Sequence, residues 1–167
     1  MNPRIILHIG QQKSGTTSLQ HTFIADRDRL RSKGILYPAA GHRRARQAHR
    51  FQPSHNGIFH LLEGQRNRKL PESIDVVAEQ LHREIREAQP EVVIISAEHA
   101  FMAADQEIDV LAGFDELLPG PKDVVAYLRR PDHYITSFHK HDIRMSNRLP
   151  GLHTPERLED KLEPGTS

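Results

Sequence analysis

Three apolar runs separated by helical patterns constrain the fold of this chain more than any other feature. They are RIILHI at 4–9, VVIIS at 92–96 and VVAYL at 124–128, and a shorter run, ILYP, lies at 35–38. Each run is continuously apolar rather than alternating, which is typical of strands that are covered on both faces of a parallel sheet. We therefore expect an α/β fold in three layers, with a small parallel sheet flanked by helices.

Helical patterns occupy the stretches between these runs. Residues 74–88 carry apolar side chains at helical spacing, and Pro90 is expected to end that helix. A further helix is expected to begin at Pro131, where Asp132 suits the positive end of the helix dipole. An apolar stripe also follows the first run, and it consists of Leu19, Phe23, Ile24 and Leu30.

Length and composition favour a single domain, residues 1–167. The 23 basic side chains almost balance the 22 acidic ones, so overall charge does not mark the chain as a binder of polyanions. There is no cysteine, which excludes disulfides and thiolate chemistry. No apolar run approaches the roughly 20 residues of a membrane span, and no secretory signal is recognised. We expect a cytoplasmic protein whose oligomeric state stays open.

Two segments fit the alternating pattern less well. Residues from about 39 to 70 are basic and poor in periodicity, and they are predicted to form a long loop. The simplest interpretation of its arginines is that they are exposed to solvent. The functional alternative is that they form a basic rim that attracts an anionic acceptor. Nucleic acid is not an expected partner, because Phe51 is the only aromatic residue beside the arginines. The tail, about 149–167, is predicted to be weakly structured.

The first apolar run leads into a glycine-containing loop, GQQKSGTT, and then into a helical pattern. Gly10 and Gly15 are separated by four residues, as in a phosphate-binding P-loop, where backbone N–H groups and a helix dipole face the anion. Lys13 lies inside the loop, whereas nucleotide triphosphatases place a lysine after the last glycine and follow it with a magnesium-binding hydroxyl. This arrangement favours an anion site without a metal, and the alternative is a capped helix with a solvated lysine.

QKSGTTSLQ resembles the 5′-phosphosulfate-binding loop of bacterial sulfotransferases, commonly written PKSGTT, with Gln12 at the frequent proline position. The second motif of that family is Arg-x-Pro with a serine eight residues beyond the arginine. Arg129, Pro131 and Ser137 match it, directly after the run at 124–128. The resemblance covers residues 5 to about 144.

This resemblance implies a P-loop fold and the donor 3′-phosphoadenosine 5′-phosphosulfate (PAPS). Lys13 would act on the bridging oxygen and the sulfonate, and Arg129 and Ser137 would hold the 3′-phosphate. The 5′-phosphate would be bound by the remaining loop residues, namely Gln12, Ser14, Gly15, Thr16 and Thr17. The implied acceptor is a carbohydrate or small-molecule hydroxyl.

Transfer of a sulfonate to a hydroxyl requires a base for the acceptor proton. SAEHAF follows the run at 92–96, so Glu98 and His99 are expected at the carboxyl edge of the sheet, where open α/β folds bind ligands. The sulfotransferase family uses glutamate in some branches and histidine in others at this point. Glu98 is our first choice and His99 our second, and the structural alternatives are a helix-capping Glu98 and a packing His99.

The twelve histidines do not predict a metal site. His139/His141 and His42/His49 lack the i, i+4 spacing of a zinc-binding helix. His133 and His141 can share a helix face, but no third ligand is evident. No metal is expected.

Two other functions stay open from the sequence. One is a P-loop kinase or nucleotide triphosphatase in which Glu98 serves as the magnesium-associated acid. The other is a non-catalytic remnant that still binds the nucleotide, because the glycine-rich basic segment expected near the C-terminus of the sulfotransferase family is missing. A C-terminally incomplete fold is therefore part of the expectation.

Overall fold

The computed structural model of the chain describes residues 2–42, 53–64, 73–101 and 108–146. The chain divides into two compact units, Met1–Leu128 and Arg129–Ser167. The described elements of the first unit are, in chain order, β1 (Arg4–His8), α1 (Thr16–Ala25), α2 (Arg27–Arg31), β2 (Ile35–Leu36), α3 (Asn56–Leu62), α4 (Ile74–Ala88), β3 (Val92–Ser96), α5 (Ile108–Leu117) and β4 (Lys122–Val125). The second unit contains α6 (Pro131–Ser146). None of the described helices is long and apolar enough to cross a membrane.

The four strands form one parallel sheet in the order β2-β3-β1-β4. β1 is a central strand, with Ile5 opposite Val93 on one side and opposite Lys122 on the other. Because all strands are parallel, their carboxyl ends meet at one edge of the sheet. The predicted α/β fold with a parallel sheet flanked by helices is confirmed.

The core lies where β1 and β3 meet the helices. Ile5, Val93 and Ile95 are fully buried, and Val77 and Leu81 of α4 belong to the same apolar cluster. Continuous apolar strands require this coverage, since the burial of each large aliphatic side chain stabilises the fold by about 1.5–3 kcal/mol. The sequence pattern of β1, β3 and α4 therefore corresponds to their observed environment.

Helix α4 has the bounds that its local sequence predicts. The Ser73 hydroxyl accepts a hydrogen bond from the Val76 N–H, which caps the first turn. After Ala88 the backbone turns left-handed at Gln89, with φ of 46°, and Pro90 follows. Proline has no N–H to donate, so the helix ends there, as expected.

Helix α3 lies inside the segment that we predicted as a long loop, and the loop prediction is wrong at that point. Ile58, Phe59 and Leu61 of α3 are buried in the core. A seven-residue helix is too short to show the periodicity that identifies longer helices, whereas its apolar content is enough to anchor it. The arginine run at 43–50 and the predicted tail at 149–167 lie outside the described residues.

Strand β4 differs from the other strands in position and exposure. It spans Lys122–Val125, so it begins two residues and ends three residues before the apolar run, and its Val125 pairs with His8 at the end of β1. Val124 is 61% exposed and Leu128 is 71% exposed. The expectation that this run is covered on both faces is therefore wrong; β4 is one of the two outer strands of the described sheet.

The apolar stripe after the glycine loop is divided between two helices, because the chain breaks at Asp26 between α1 and α2. The residues buried in α1 are polar, Thr16 and Gln20, while Leu19, Phe23 and Ile24 are half-buried. The inner face of α1 is therefore polar rather than apolar.

Candidate functional site

The loop between β1 and α1 has a constrained backbone. Lys13 has φ of 66° and Gly15 has φ of 96°, both in the left-handed region. The Ser14 N–H and hydroxyl both donate to the Gln11 carbonyl, which closes the turn. A left-handed lysine costs of order 1–3 kcal/mol, and such conformations concentrate at ligand-binding sites.

Helix α1 begins at the end of this loop without a side-chain cap. Gly15 occupies the cap position, and no side chain of the described residues accepts from the first turn there. The amides of an uncapped helix start are directed along the axis and, with the dipole, favour an anion. Thr16 is buried in the first turn, and Thr17 is exposed beside it.

A buried polar network forms the floor beneath the loop. His8 Nδ1 lies 2.8 Å from Ser96 Oγ, and the Gln20 side-chain amide donates to the same oxygen at 3.1 Å. All three residues are at most 3% exposed. Burial lowers the pKa of His8, so the imidazole is neutral near pH 7.

Gly10 allows the loop to pass directly over this floor. A Cβ at that position would lie 2.7 Å from His8 Nε2 and 2.7 Å from the Thr16 methyl carbon. No real Cβ contact is that short, so only glycine fits unless the neighbours move. The first glycine of the loop is therefore required by close packing.

Glu98 is attached to the loop. It follows β3 by two residues, and its carboxylate accepts a hydrogen bond from the Thr16 hydroxyl. The end of β3 is also joined to the end of β1 by a hydrogen bond from the Ala97 N–H to the His8 carbonyl, at 2.9 Å. The structure thus places Glu98, one of the two candidate bases, beside the glycine-containing loop.

His99 has different partners from Glu98. Its backbone N–H donates to Asn56 Oδ1 at 3.0 Å, and its Nε2 lies 2.7 Å from Glu63 Oε1. The ring also lies 4.0 Å from the His60 ring, centroid to centroid. His99 is therefore held at helix α3, whereas Glu98 is held at the loop.

A surface pocket opens beside the start of α1. It has a volume of about 200 Å³ and is lined by Ser14, Gly15, Thr16, Leu19 and Tyr127. Its lining combines loop backbone, hydroxyls and an aromatic ring. Gln12 and Lys13, which sequence reasoning also placed in the donor site, are half-buried in the same loop.

The second unit carries the other predicted motif. Arg129 and Ser137 line one surface pocket of about 250 Å³, together with His133, Thr136 and Lys140. The spacing of the motif therefore brings the arginine and the serine to one place, with a lysine added by α6.

The neighbouring arginine, Arg130, has a partner in the first turn of α6. Its guanidinium forms an ion pair with Asp132 at 3.1 Å on the exposed surface. Arg129 lines the pocket and Arg130 is not among its lining residues, so Arg130 serves as a natural control for Arg129.

Sequence reasoning missed two groups of residues. One is the polar floor formed by His8, Ser96 and Gln20. Its signal in the sequence is a polar residue at the end of each buried strand, His8 and Ser96, and Gln20 one helical turn after Thr16. The second is the cluster of His60, Glu63 and His99. Its signal was the His-x-x-Glu spacing in HLLE, which places both side chains on one helix face.

Comparison of the chain with protein-family models, with curated proteins and with solved structures finds no match.

Proposed function

We propose that this protein is a P-loop-type sulfotransferase that transfers a sulfonate from PAPS to a hydroxyl of a carbohydrate or small molecule. The observation that carries the proposal is the hydrogen bond from Thr16 to Glu98. It keeps a carboxylate beside a loop whose sequence resembles the phosphosulfate-binding loop of sulfotransferases. A transferase of this type needs a base within reach of the transferred group, and proximity of this kind removes much of the entropic cost of reaction.

The proposed reaction is a direct displacement at sulfur. The acceptor oxygen forms a bond to the sulfonate sulfur while the bond from sulfur to the bridging phosphate oxygen breaks. Glu98 takes the acceptor proton, and 3′,5′-adenosine bisphosphate leaves with the electron pair. Lys13 neutralises the charge that develops on the bridging oxygen, and the uncapped start of α1 holds the 5′-phosphate.

Glu98 is preferred to His99 as the base for a geometric reason. His99 Nε2 is already 2.7 Å from a Glu63 carboxylate oxygen and its backbone is tied to Asn56. Glu98 is half-buried next to the loop hydroxyl. A base must approach the proton it removes to within hydrogen-bond distance, so we assign that role to the carboxylate that lies at the loop.

The Arg129 pocket supports the choice of donor. A guanidinium, a hydroxyl and the Lys140 amine around one pocket suit a phosphate dianion. We assign this pocket to the 3′-phosphate, the group that distinguishes PAPS from adenosine nucleotides with a plain ribose.

Binding of 3′,5′-adenosine bisphosphate and of adenosine 5′-monophosphate, measured by calorimetry, tests the proposal. The full chain should bind the bisphosphate at least tenfold more tightly. Arg129→Ala should weaken bisphosphate binding by roughly ten- to a hundredfold, since a charge-assisted hydrogen bond contributes about 1.5–3 kcal/mol. It should leave the affinity for adenosine 5′-monophosphate unchanged.

Arg130→Ala is the matched control and should change neither affinity, because that arginine pairs with Asp132. Equal affinities of the unmutated protein for the two ligands would refute the assignment of PAPS as donor. Bisphosphate binding without transfer of labelled sulfonate to any acceptor would instead select a non-catalytic binding protein.

A P-loop kinase or nucleotide triphosphatase is the second candidate, and the same Thr16–Glu98 contact favours it. An acid beside the loop hydroxyl is the arrangement that positions Mg²⁺ in such enzymes. The position of Lys13 ahead of Gly15 disfavours it. Tight binding of ATP that depends on Mg²⁺, without preference for a 3′-phosphate, would replace the sulfotransferase proposal with this one.

A further inference from the structure

Three side chains from two parts of the first unit converge beside the carboxyl edge of the sheet. His60 lies in the last turn of α3 and Glu63 caps that helix, while His99 follows β3. One nitrogen or oxygen of each residue lies within 4.8 Å of the corresponding atoms of the other two. Their side chains are 14–22% exposed, so the cluster is largely shielded from water but can be reached from it.

We propose that His60, Glu63 and His99 form a binding site for a divalent transition metal of the zinc class. Two imidazoles and one carboxylate are a donor set that zinc accepts in proteins, with a further position left for water. The set contains one carboxylate, which neutralises only part of the charge of a dipositive ion, so an additional oxygen ligand suits the site. None of the three residues belongs to the glycine-containing loop, and the metal site does not depend on the proposed function.

The distances require only small adjustments for an ion to enter. One carboxylate oxygen faces both histidines, because Glu63 Oε2 lies 2.8 Å from His99 Nε2 and 3.8 Å from His60 Nδ1. Ligand atoms about 2.0–2.2 Å from a tetrahedral zinc are roughly 3.3–3.5 Å apart. The closer pair must open and the wider pair must close, each by less than an ångström, and the two histidine ligand atoms lie within 4.8 Å of each other.

Helix position and backbone contacts support the site. The carboxyl end of a helix carries partial negative charge, which favours a cation at His60 and Glu63. The His99 N–H donates to Asn56 Oδ1 at the start of α3, so the two ligand-bearing segments are already held together. An ion would therefore bind to a largely preformed set and would join α3 to the segment after β3.

A hydrogen-bonded His99–Glu63 pair is the competing explanation, and it makes a different prediction about His60. A pair needs two residues, whereas a metal site needs all three. His60→Gln is therefore the decisive variant, because it leaves the His99–Glu63 contact in place while removing one ligand.

The test uses the full chain without an affinity tag, stripped of metal by a chelator and titrated with zinc chloride by calorimetry. The unmutated protein should bind one zinc ion per chain, and zinc should raise its melting temperature. His60→Gln, Glu63→Gln and His99→Gln should each weaken zinc binding at least tenfold and remove the shift in melting temperature. Cobalt(II) in place of zinc should give the intense visible absorption of a low-coordinate site.

His21→Gln, a change on the exposed surface of α1, is the matched control and should leave zinc binding unchanged. Absence of stoichiometric binding would overturn the proposal. Unchanged binding in His60→Gln would also overturn it, and so would equal weakening in His21→Gln, which indicates adventitious surface histidines. If Glu63→Gln fails to fold, the two histidine variants decide the result.

Discussion

At the scale of single residues, Lys13 combines an unfavourable backbone conformation with a charged side chain. A lysine with φ of 66° is retained at a cost that glycine would avoid. Under the proposed function, this backbone conformation directs the amine toward the bridging oxygen of the donor. The role is therefore in the transition state, where charge develops, rather than in ground-state binding.

Lys13→Ala should lower kcat for sulfonyl transfer by roughly 10²–10³-fold while changing the affinity for 3′,5′-adenosine bisphosphate much less. Single-turnover transfer of labelled sulfonate and calorimetric titration measure the two effects. Lys13→Gly is the matched control, because it removes the amine and relieves the backbone strain. If the glycine variant recovers activity, the loss in Lys13→Ala came from the backbone and the proposed role of the amine is wrong.

Glu98 and His99 are adjacent in sequence and differ in their partners, which makes them a natural comparison. Glu98→Gln keeps an oxygen that can accept from Thr16 but cannot take a proton. It should lower kcat by about 10²–10⁴-fold with little change in bisphosphate affinity. His99→Gln should have a milder effect on kcat. A fully active Glu98→Gln together with an inactive His99→Gln would reverse the assignment of the base.

At the scale of elements, the β1–loop–α1 unit depends on Gly10. Gly10→Ala forces a methyl group against the buried His8 ring and the Thr16 methyl carbon, so it should lower the free energy of unfolding by roughly 1–3 kcal/mol. Bisphosphate binding should weaken as well, because Thr16 moves. Chemical denaturation and calorimetry measure these two results.

The control for Gly10→Ala is Gly113→Ala. Gly113 lies in α5 with an ordinary helical backbone, and an added Cβ would meet one Leu62 methyl carbon at 3.0 Å. Alanine favours the helix by roughly 0.5–1 kcal/mol, which offsets that contact. Comparable destabilisation by both substitutions would mean that the packing beneath the loop is no tighter than that around an ordinary helical glycine.

Elements with strong local signals were predictable and those set by distant contacts were not. Helix α4 has a capping serine, an apolar stripe and a terminating proline, so its bounds follow from sequence alone. Helix α3 is defined by burial of Ile58 and Phe59 in a core assembled from other segments. Sequence periodicity does not report that kind of stabilisation.

The same division applies to the candidate site. Glu98 was expected at the carboxyl edge of the sheet because parallel strands direct their ends there. The proximity of Glu63 to His99 depends on how α3 docks, which no pattern near either residue encodes. The exposure of β4 was also unpredictable, since an apolar run does not specify whether its strand lies at the centre or the edge.

At the scale of the whole molecule, buried histidines couple the stability of the fold to pH. His55 is fully buried, its Nε2 lies 3.1 Å from the Pro38 carbonyl oxygen, and its Nδ1 accepts from the Ser96 N–H. Both ring nitrogens are satisfied only in the neutral form, because protonation would place a second donor against the Ser96 N–H. Burial lowers the pKa of His55 to about 4.

Stability should therefore fall as the solution is acidified below the unfolded-state pKa of about 6.5. Between that value and the folded pKa of about 4, the unfolded chain binds a proton that the folded chain excludes, so acid favours unfolding. The loss is about 1.4 kcal/mol per pH unit for each such histidine, and it is absent above pH 7. Urea denaturation at a series of pH values measures it.

His55→Gln should reduce that pH slope by about one proton, whatever its effect on stability at neutral pH. His21→Gln, a change at an exposed position of α1, is the control variant. Burial beside His55 also lowers the pKa of His42, to about 2, so part of the slope should remain in His55→Gln. A slope that is identical in His55→Gln and the unmutated protein would contradict this account.

The central position of β1 determines when the loop can take shape during synthesis. β1 is made first, but its neighbours in the sheet, β3 and β4, are made after most of the first unit has been translated. Pairings between residues so far apart in the chain carry a large loop-closure cost and form late in folding. The loop therefore lacks its partners Ser96 and Glu98 on the ribosome until β3 and the residues after it have emerged, so a nascent chain that ends before β3 lacks the polar floor beneath the loop.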